Sequence, residues 1–292
     1  MALALHEALP PGDLTVIGNV GDDFEHWGLS ISPDLDTVLY TLTGRIDPIN
    51  GWGVQDDTQQ LMETMISLGE DDWFSLGDRD LALHVARTRR LRRGESLSTI
   101  TADVARRWGL ATSLIPATDD RLRTWIATND GELPFQEWLV RRRAADAVAG
   151  VRFEGVPGAQ PAPGVLDAIT TADRIVLAPS NPFVSLDSIL AVDGLRDAVA
   201  GRRDDCIAVS PVIAGKAVKG PLVGMLESMG HRPDAVGVAC YLAPLAGTFV
   251  LDEADVALAN AVGQLDQRVV MTPTLMADPG VRQGLAEAVL RA

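Results

Sequence analysis

Four short runs of β-branched and aliphatic residues, separated by stretches long enough to form helices, restrict the folds open to this chain. The first lies in residues 13–23, Asp-Leu-Thr-Val-Ile-Gly-Asn-Val-Gly-Asp-Asp, and stops at Gly21 and two carboxylates. The others occupy residues 174–178, 206–210 and 268–272. Continuous apolar runs of this length read as strands buried on both faces. Helix-like stretches precede the later runs, with residues 186–199 and 220–229 as the clearest connectors. Strands that alternate with such helices form a parallel sheet with right-handed crossovers, so the expected fold is α/β with a Rossmann-like core.

The middle of the chain breaks this rhythm. Residues 78–93 and 98–108 have helical apolar spacing, with Ser96 or Ser98 as N-caps and Gly94 and Gly109 as stops. Two strand-like stretches, 124–128 and 133–140, flank Asn129-Asp130-Gly131, a turn suited to a hairpin. Residues 76–155 are therefore expected to form a helical and hairpin insert covering one end of the sheet. The core is then assigned to residues 1–75 and 156–292, with the Gly- and Pro-rich residues 155–163 leading back into it.

Ligands of open parallel sheets sit beyond the carboxyl ends of the strands, which directs attention to the residues just after each run. Asp22 and Asp23 follow the first, and Ser32-Pro33-Asp34-Leu35-Asp36-Thr37 comes soon afterwards. Four carboxylates this close repel one another unless a cation or basic side chain compensates them, and oxygen donors suit Mg²⁺; the same residues also suit helix caps and solvated turns. Ala178-Pro179-Ser180-Asn181-Pro182 follows the second run and offers a hydroxyl and an amide on a rigid turn. Ser210-Pro-Val-Ile-Ala-Gly-Lys216-Ala-Val-Lys219-Gly-Pro221 follows the third and carries the chain's two lysines. Lys216 and Lys219, beside Gly215, are the best phosphate candidates, with a solvated turn as the equal alternative. The Gly-Lys pair is not a Walker loop, because Ser210 stands where the first glycine is required. In the middle segment, Asp78 could cap a helix or its positive end could receive an anion. Trp138 and Arg141, within Phe135-Gln-Glu-Trp138 and Arg141-Arg-Arg143, offer aromatic surface and guanidinium groups for a flat heterocycle beside phosphate, or a packed strand with a basic face.

Composition excludes other classes. The formal net charge of -15, from 40 acidic and 25 basic residues, repels nucleic acid and anionic lipid, so any nucleotide site must gather positive charge locally. No apolar run reaches membrane-helix length, and a cytoplasmic protein is expected. Cys206 and Cys240 sit in apolar runs and read as buried reduced thiols. The four histidines show no ligand spacing with them, so a zinc site is not expected.

Taken in order, Asn19-Val-Gly-Asp-Asp23, Ser32-Pro-Asp-Leu-Asp-Thr37, Ser75-Leu-Gly-Asp-Arg-Asp80, Phe135-Gln-Glu-Trp138, Ala178-Pro-Ser-Asn-Pro182 and Ser210-Pro-Val-Ile-Ala-Gly-Lys216 resemble the 2-phospho-L-lactate transferase family over essentially the whole chain. The resemblance implies transfer of a phospholactyl or phosphoenolpyruvyl group from a guanosine diphosphate conjugate to the deazaflavin Fo in coenzyme F-420 biosynthesis. It further implies release of GMP, a Mg²⁺ requirement, a Rossmann-like core with a smaller insert, and a homodimer. Under this reading Asp22 and Asp36 are the first choices as Mg²⁺ ligands and catalytic carboxylates, with Asp34 and Asp23 next. Lys216, Lys219, Gly215, Ser180 and Asn181 would hold the donor, and the deazaflavin would lie against the insert near Trp138 and Arg141. The alternative is a non-catalytic or regulatory nucleotide-binding member of the same superfamily. Family members begin with an apolar strand and a glycine-rich turn, whereas Met1-Ala-Leu-Ala-Leu5 resembles the end of the helix that follows that turn. A chain without that strand is expected to fold poorly and show little activity.

Overall fold

The computed structural model describes residues Met1 to Ala292. Strand β1 (Thr15–Gly18) follows an N-terminal helix, Ala2–Ala8, and precedes a hairpin of β2 (Phe24–His26) and β3 (Leu29–Ile31). β4 (Ser113–Pro116) returns to pair with β1 in parallel. Next come β5 (Arg123–Thr128), β6 (Gly131–Pro134) and β7 (Val148–Glu154), an antiparallel sheet with β5 at its centre. The C-terminal half supplies β8 (Ile175–Leu177), β9 (Cys206–Val209), a hairpin of β10 (Val212–Ile213) and β11 (Lys216–Ala217), then β12 (Thr248–Leu251) and β13 (Arg268–Met271). β13, β12, β9 and β8 form one parallel sheet in that order. The architecture is α/β with parallel sheets, as the strand and helix alternation required.

β9 and β12 are buried along their whole length, which is why Cys-Ile-Ala-Val and Thr-Phe-Val-Leu contain almost no polar side chain. β12 is the central strand that sequence reading missed. It ends a nearly unbroken apolar stretch from Ala235 that also contains the helix Ala235–Leu242, so no polar residue separates helix from strand. Residues 76–155 contain β4, which pairs in parallel with β1 through the register of Thr15 with Ser113. Four residues ending in proline carry too little period-2 signal to reveal it. The hairpin expected around Asn129-Asp130 is present, with Thr128 paired to Gly131, but the chain turns helical over Glu137–Arg141 instead of extending to residue 140. The connector expected over residues 186–199 is broken into Asp187–Leu190 and Leu195–Ala200. Cys206 is buried, and burial pushes its thiol up to about 12, whereas Cys240 is exposed on the outer side of its helix. No helix is long and apolar enough to cross a membrane.

Helices Gln60–Ser67 and Asp78–Leu91 cap one another. Asp57 accepts from the amides of Arg79 (2.8 Å) and Asp80 (3.1 Å), at the start of the second helix. Asp78 accepts from the amides of Gln60 (3.2 Å) and Leu61 (3.0 Å), at the start of the first. Asp78 therefore serves a neighbouring helix, and the positive end of its own helix is filled by Asp57. Gly77 permits the approach: a Cβ there would stand 2.2 Å from the Asp57 carboxylate. Asp57→Ala is expected to cost about 1 kcal/mol and lower Tm by roughly 2–4 °C in thermal unfolding; an unchanged Tm would show that this cap contributes nothing.

Candidate active site

The end of β1 is tied to two other elements by Asn19. Its Nδ2 donates to Asp34 Oδ2 (2.7 Å), and its Oδ1 accepts from the Gly21 amide (2.7 Å) and from Ser188 Oγ (2.6 Å). Ser188 lies on the helical segment after β8, and Asp34 in the first turn of helix Pro33–Leu42. The parallel ladders of β1 and β8 share no hydrogen-bonded strand pair, so this buried amide is a direct link between their carboxyl ends. Gly21 fits there because a Cβ would stand 2.7 Å from both Ser188 Cβ and Thr124 Oγ1.

Beyond Gly21, Asp22 is buried and accepts a long hydrogen bond from Thr124 Oγ1 (3.3 Å). Burial first, and then the neighbouring Asp34 charge, push its carboxyl well above the ordinary range. Asp34 is raised as well, by burial, against the stabilising hydrogen bond from Asn19. The charge of Asp34 acts on Asp22, and neither carboxylate has a basic side chain within ion-pair distance, a donor set that a hard divalent cation satisfies. Asp23 accepts from Ser32 Oγ (2.8 Å), while its Oδ1 is buried with no partner. Burial raises Asp23 to about 7, against the pull of Arg123 and Arg87.

Asp36 has a different setting. It is buried in a two-pronged ion pair with Arg87, with Nη1 to Oδ2 at 3.0 Å and Nη2 on Oδ1. His84 Nδ1 lies 3.6 Å from Asp36, His84 Nε2 lies 3.2 Å from Asp80, and the Tyr40 hydroxyl donates to Asp80 (2.6 Å). Two helices build this cluster by spacing alone: Asp36 and Tyr40 are four apart on one, and Asp80, His84 and Arg87 line one face of the other. Asp36, Asp80 and His84 hold ligand-type atoms within 4.8 Å of one another, an arrangement that could take a metal. Arg87 and Tyr40 already satisfy its carboxylates, so an added cation would have to displace a guanidinium. Asp22 and Asp36, paired as metal ligands in the sequence reading, thus lie in separate settings, and Asp34 is the carboxylate that stands beside Asp22. The polar residues at helical spacing on buried faces were the available signal for the second cluster.

A cavity of about 310 Å³ opens on Asp22 and Asp23. Phe24 and Trp73 line it on one side, and Arg123, Trp125 and Phe135 come from the β5 and β6 region. Trp73 packs edge-on to Phe74, and Arg152 lies over Trp125 with its guanidinium carbon 5.4 Å from the ring centroid. Trp138 does not reach the cavity. It is 1% exposed in the core and its Nε1 donates to the Asp146 carbonyl, so the Phe-Gln-Glu-Trp motif offers Phe135 to a ligand instead. Arg141 is exposed and outside the cavity lining.

At the ends of β8 and β9, Asn181 Oδ1 accepts from the Phe183 amide (3.0 Å) and its Nδ2 points at Met225 Sδ (3.1 Å), on the helix after the lysine turn. Ser180 is half-buried beside it. Ala214 and Gly215, both with positive φ, turn the β10–β11 hairpin, which presents Lys216 to solvent. Lys219 reaches the loop after helix Pro33–Leu42, with Nζ 3.7 Å from where a Cβ on Gly51 would lie. The lysine turn and the Asn19 hub therefore both lie beyond strand carboxyl ends.

A family model described as 2-phospho-L-lactate transferase CofD matches residues 1–278. A phosphoenolpyruvate transferase of Mycobacterium sp. (strain KMS) is 40% identical over 291 residues, covering 96% of this chain and 86% of the relative. One of Thermobifida fusca is 41% identical over 286 residues, covering 96% and 87%. A crystal structure of a Bacillus halodurans protein superposes with a TM-score of 0.64 at 15% identity, over 99% of this chain and 94% of that one, which shows the shared fold. With its motifs in order and residues 1–278 matched, the chain belongs to the 2-phospho-L-lactate transferase family and is a transferase.

Proposed function

We propose that the protein transfers a phosphoenolpyruvyl or phospholactyl group from its guanosine diphosphate conjugate to the deazaflavin Fo in coenzyme F-420 biosynthesis, releasing GMP and acting as a Mg²⁺-dependent homodimer. The observation that carries this reading is the buried Asp22 at an aromatic cavity, with the charge of half-buried Asp34 acting on it. Their oxygen donors fit Mg²⁺ better than the Asp36 cluster, which already holds Arg87. Asp22 and Asp34 would hold the ion, and when bound it supplies positive charge to the diphosphate oxygens. The lysine turn with Lys216 and Lys219 is the cationic surface available to the nucleotide phosphates.

In the reaction the Fo hydroxyl oxygen bonds to the phosphorus bearing the three-carbon acid, and the bridging P–O bond breaks, its electron pair leaving with GMP. Asp23, whose Oδ1 has no protein partner, would accept the hydroxyl proton. The aromatic cavity, at the lower end of the ~300–1,000 Å³ range of ligand pockets, takes the flat ring system. The relatives' phosphoenolpyruvate names favour the phosphoenolpyruvyl donor.

Incubation with Fo, Mg²⁺ and each guanylylated donor, followed by mass spectrometry, should give the dehydro form of F-420-0 from the phosphoenolpyruvyl donor. Nucleotide binding with no product from either donor would replace this reading with the non-catalytic one.

A further inference from the structure

Arginines that are not exposed have a carboxylate within ion-pair distance at five positions: Arg87, Arg90, Arg202, Arg203 and Arg282. Arg123 is the exception. It is half-buried, no carboxylate lies within 4.0 Å of it, and its one protein acceptor is the carbonyl of neighbouring Leu122, at 2.7 Å from Nη1. The remaining guanidinium donors are held without a partner at the wall of the cavity. A half-buried guanidinium with free donors at a cavity wall can donate to a ligand that enters beside it.

The rest of the lining indicates what that ligand is. Asp22, Asp23, Glu25 and Glu137 also border the cavity, and the other cation there, Arg121, is exposed and already paired with Glu154. Beyond the ion proposed on Asp22, a phosphate entering this space would meet Asp23, Glu25 and Glu137, whereas an uncharged ring with carbonyl oxygens meets aromatic surface and one strong donor. We propose that Arg123 determines acceptor specificity, donating to a ring carbonyl on the edge of a fused pyrimidinedione heterocycle whose apolar body lies against Phe24, Trp73, Trp125 and Phe135. This rests on the transferase reading above, and it sends the donor phosphates outside the cavity, toward the lysine turn. The residue follows β4 by only a few positions, so the core sheet and the antiparallel meander together fix where its backbone lies.

Fo titrated into the full-length protein with Mg²⁺ and no donor, read by tryptophan quenching, gives the acceptor Kd, since Trp73 and Trp125 border the cavity. Arg123→Met should weaken Fo binding by roughly 10- to 100-fold, the loss expected for hydrogen bonds to a charged group. Arg123→Lys should fall between, because an ammonium offers a point charge without the planar fork. GDP affinity, measured in parallel, should stay within about twofold of wild type in both variants. Undiminished Fo binding in Arg123→Met, or lost GDP binding in its place, would overturn the assignment; if that variant does not fold, Arg123→Lys and Arg123→Gln are judged by the same two affinities. A wild-type protein that fails to bind Fo would instead sink the transferase reading, so the two failures are separable.

Discussion

Asp22→Asn should reduce turnover with Mg²⁺ by at least on the order of 100-fold, beyond the ~10- to 100-fold usually lost with an outer-shell partner, because it removes a carboxylate proposed to bind the ion itself. The same substitution should not destabilise the fold. Asp22 is buried, and burial and the Asp34 charge raise its carboxyl well above the ordinary value of 3.8. A folded carboxyl that holds its proton more tightly than the unfolded one contributes stability below pH 3.8, and this is lost as pH rises through the folded value. In EDTA, then, wild type should lose stability relative to Asp22→Asn as the solution is taken from pH 4 to pH 8, and the variant should melt higher at the upper end. Near-normal turnover would remove Asp22 from the metal site. A variant that melts lower than wild type at pH 8 in EDTA would contradict the burial and repulsion assigned to this carboxylate.

Arg87→Met should have the largest effect on stability. Both Asp36 oxygens receive hydrogen bonds from Arg87, and both side chains are buried, so the variant leaves a carboxylate among core residues without its counter-charge. Breaking such a pair from one side costs roughly 3–5 kcal/mol, or about 6–20 °C of Tm for a domain of this size. Removing both charges avoids that penalty. Arg87→Met combined with Asp36→Leu should recover most of the lost stability, since an apolar pair of similar volume commonly replaces a buried ion pair at little cost. A single variant that melts like wild type would show that Asp36 is compensated elsewhere in the cluster. A double variant no better than the single would show that the surrounding His84 and Asp80 depend on the charges themselves.

The alternation of strands and helices is legible in the chain, because β1, β8, β9 and β13 are short apolar runs bounded by polar or glycine residues. So are the helices Asp78–Leu91 and Leu97–Arg107, the latter capped by Ser96, and the acidic and lysine turns beyond the strand ends. These features are local: each depends on residues within one or two turns of chain, where periodicity and capping act. Other features depend on partners far away in sequence and emerge only on folding. β12 became distinct from the apolar helix before it by pairing with β9 and β13, and β4 joined the core by pairing with β1. Trp138 turned into the core and Cys240 out of it, since the amino-acid type fixes neither side of an element. Above all, Asp34 stands beside Asp22 while Asp36, two residues on, faces Arg87: successive positions on a helix point about 100° apart, and only packing chooses which carboxylate meets a cationic partner.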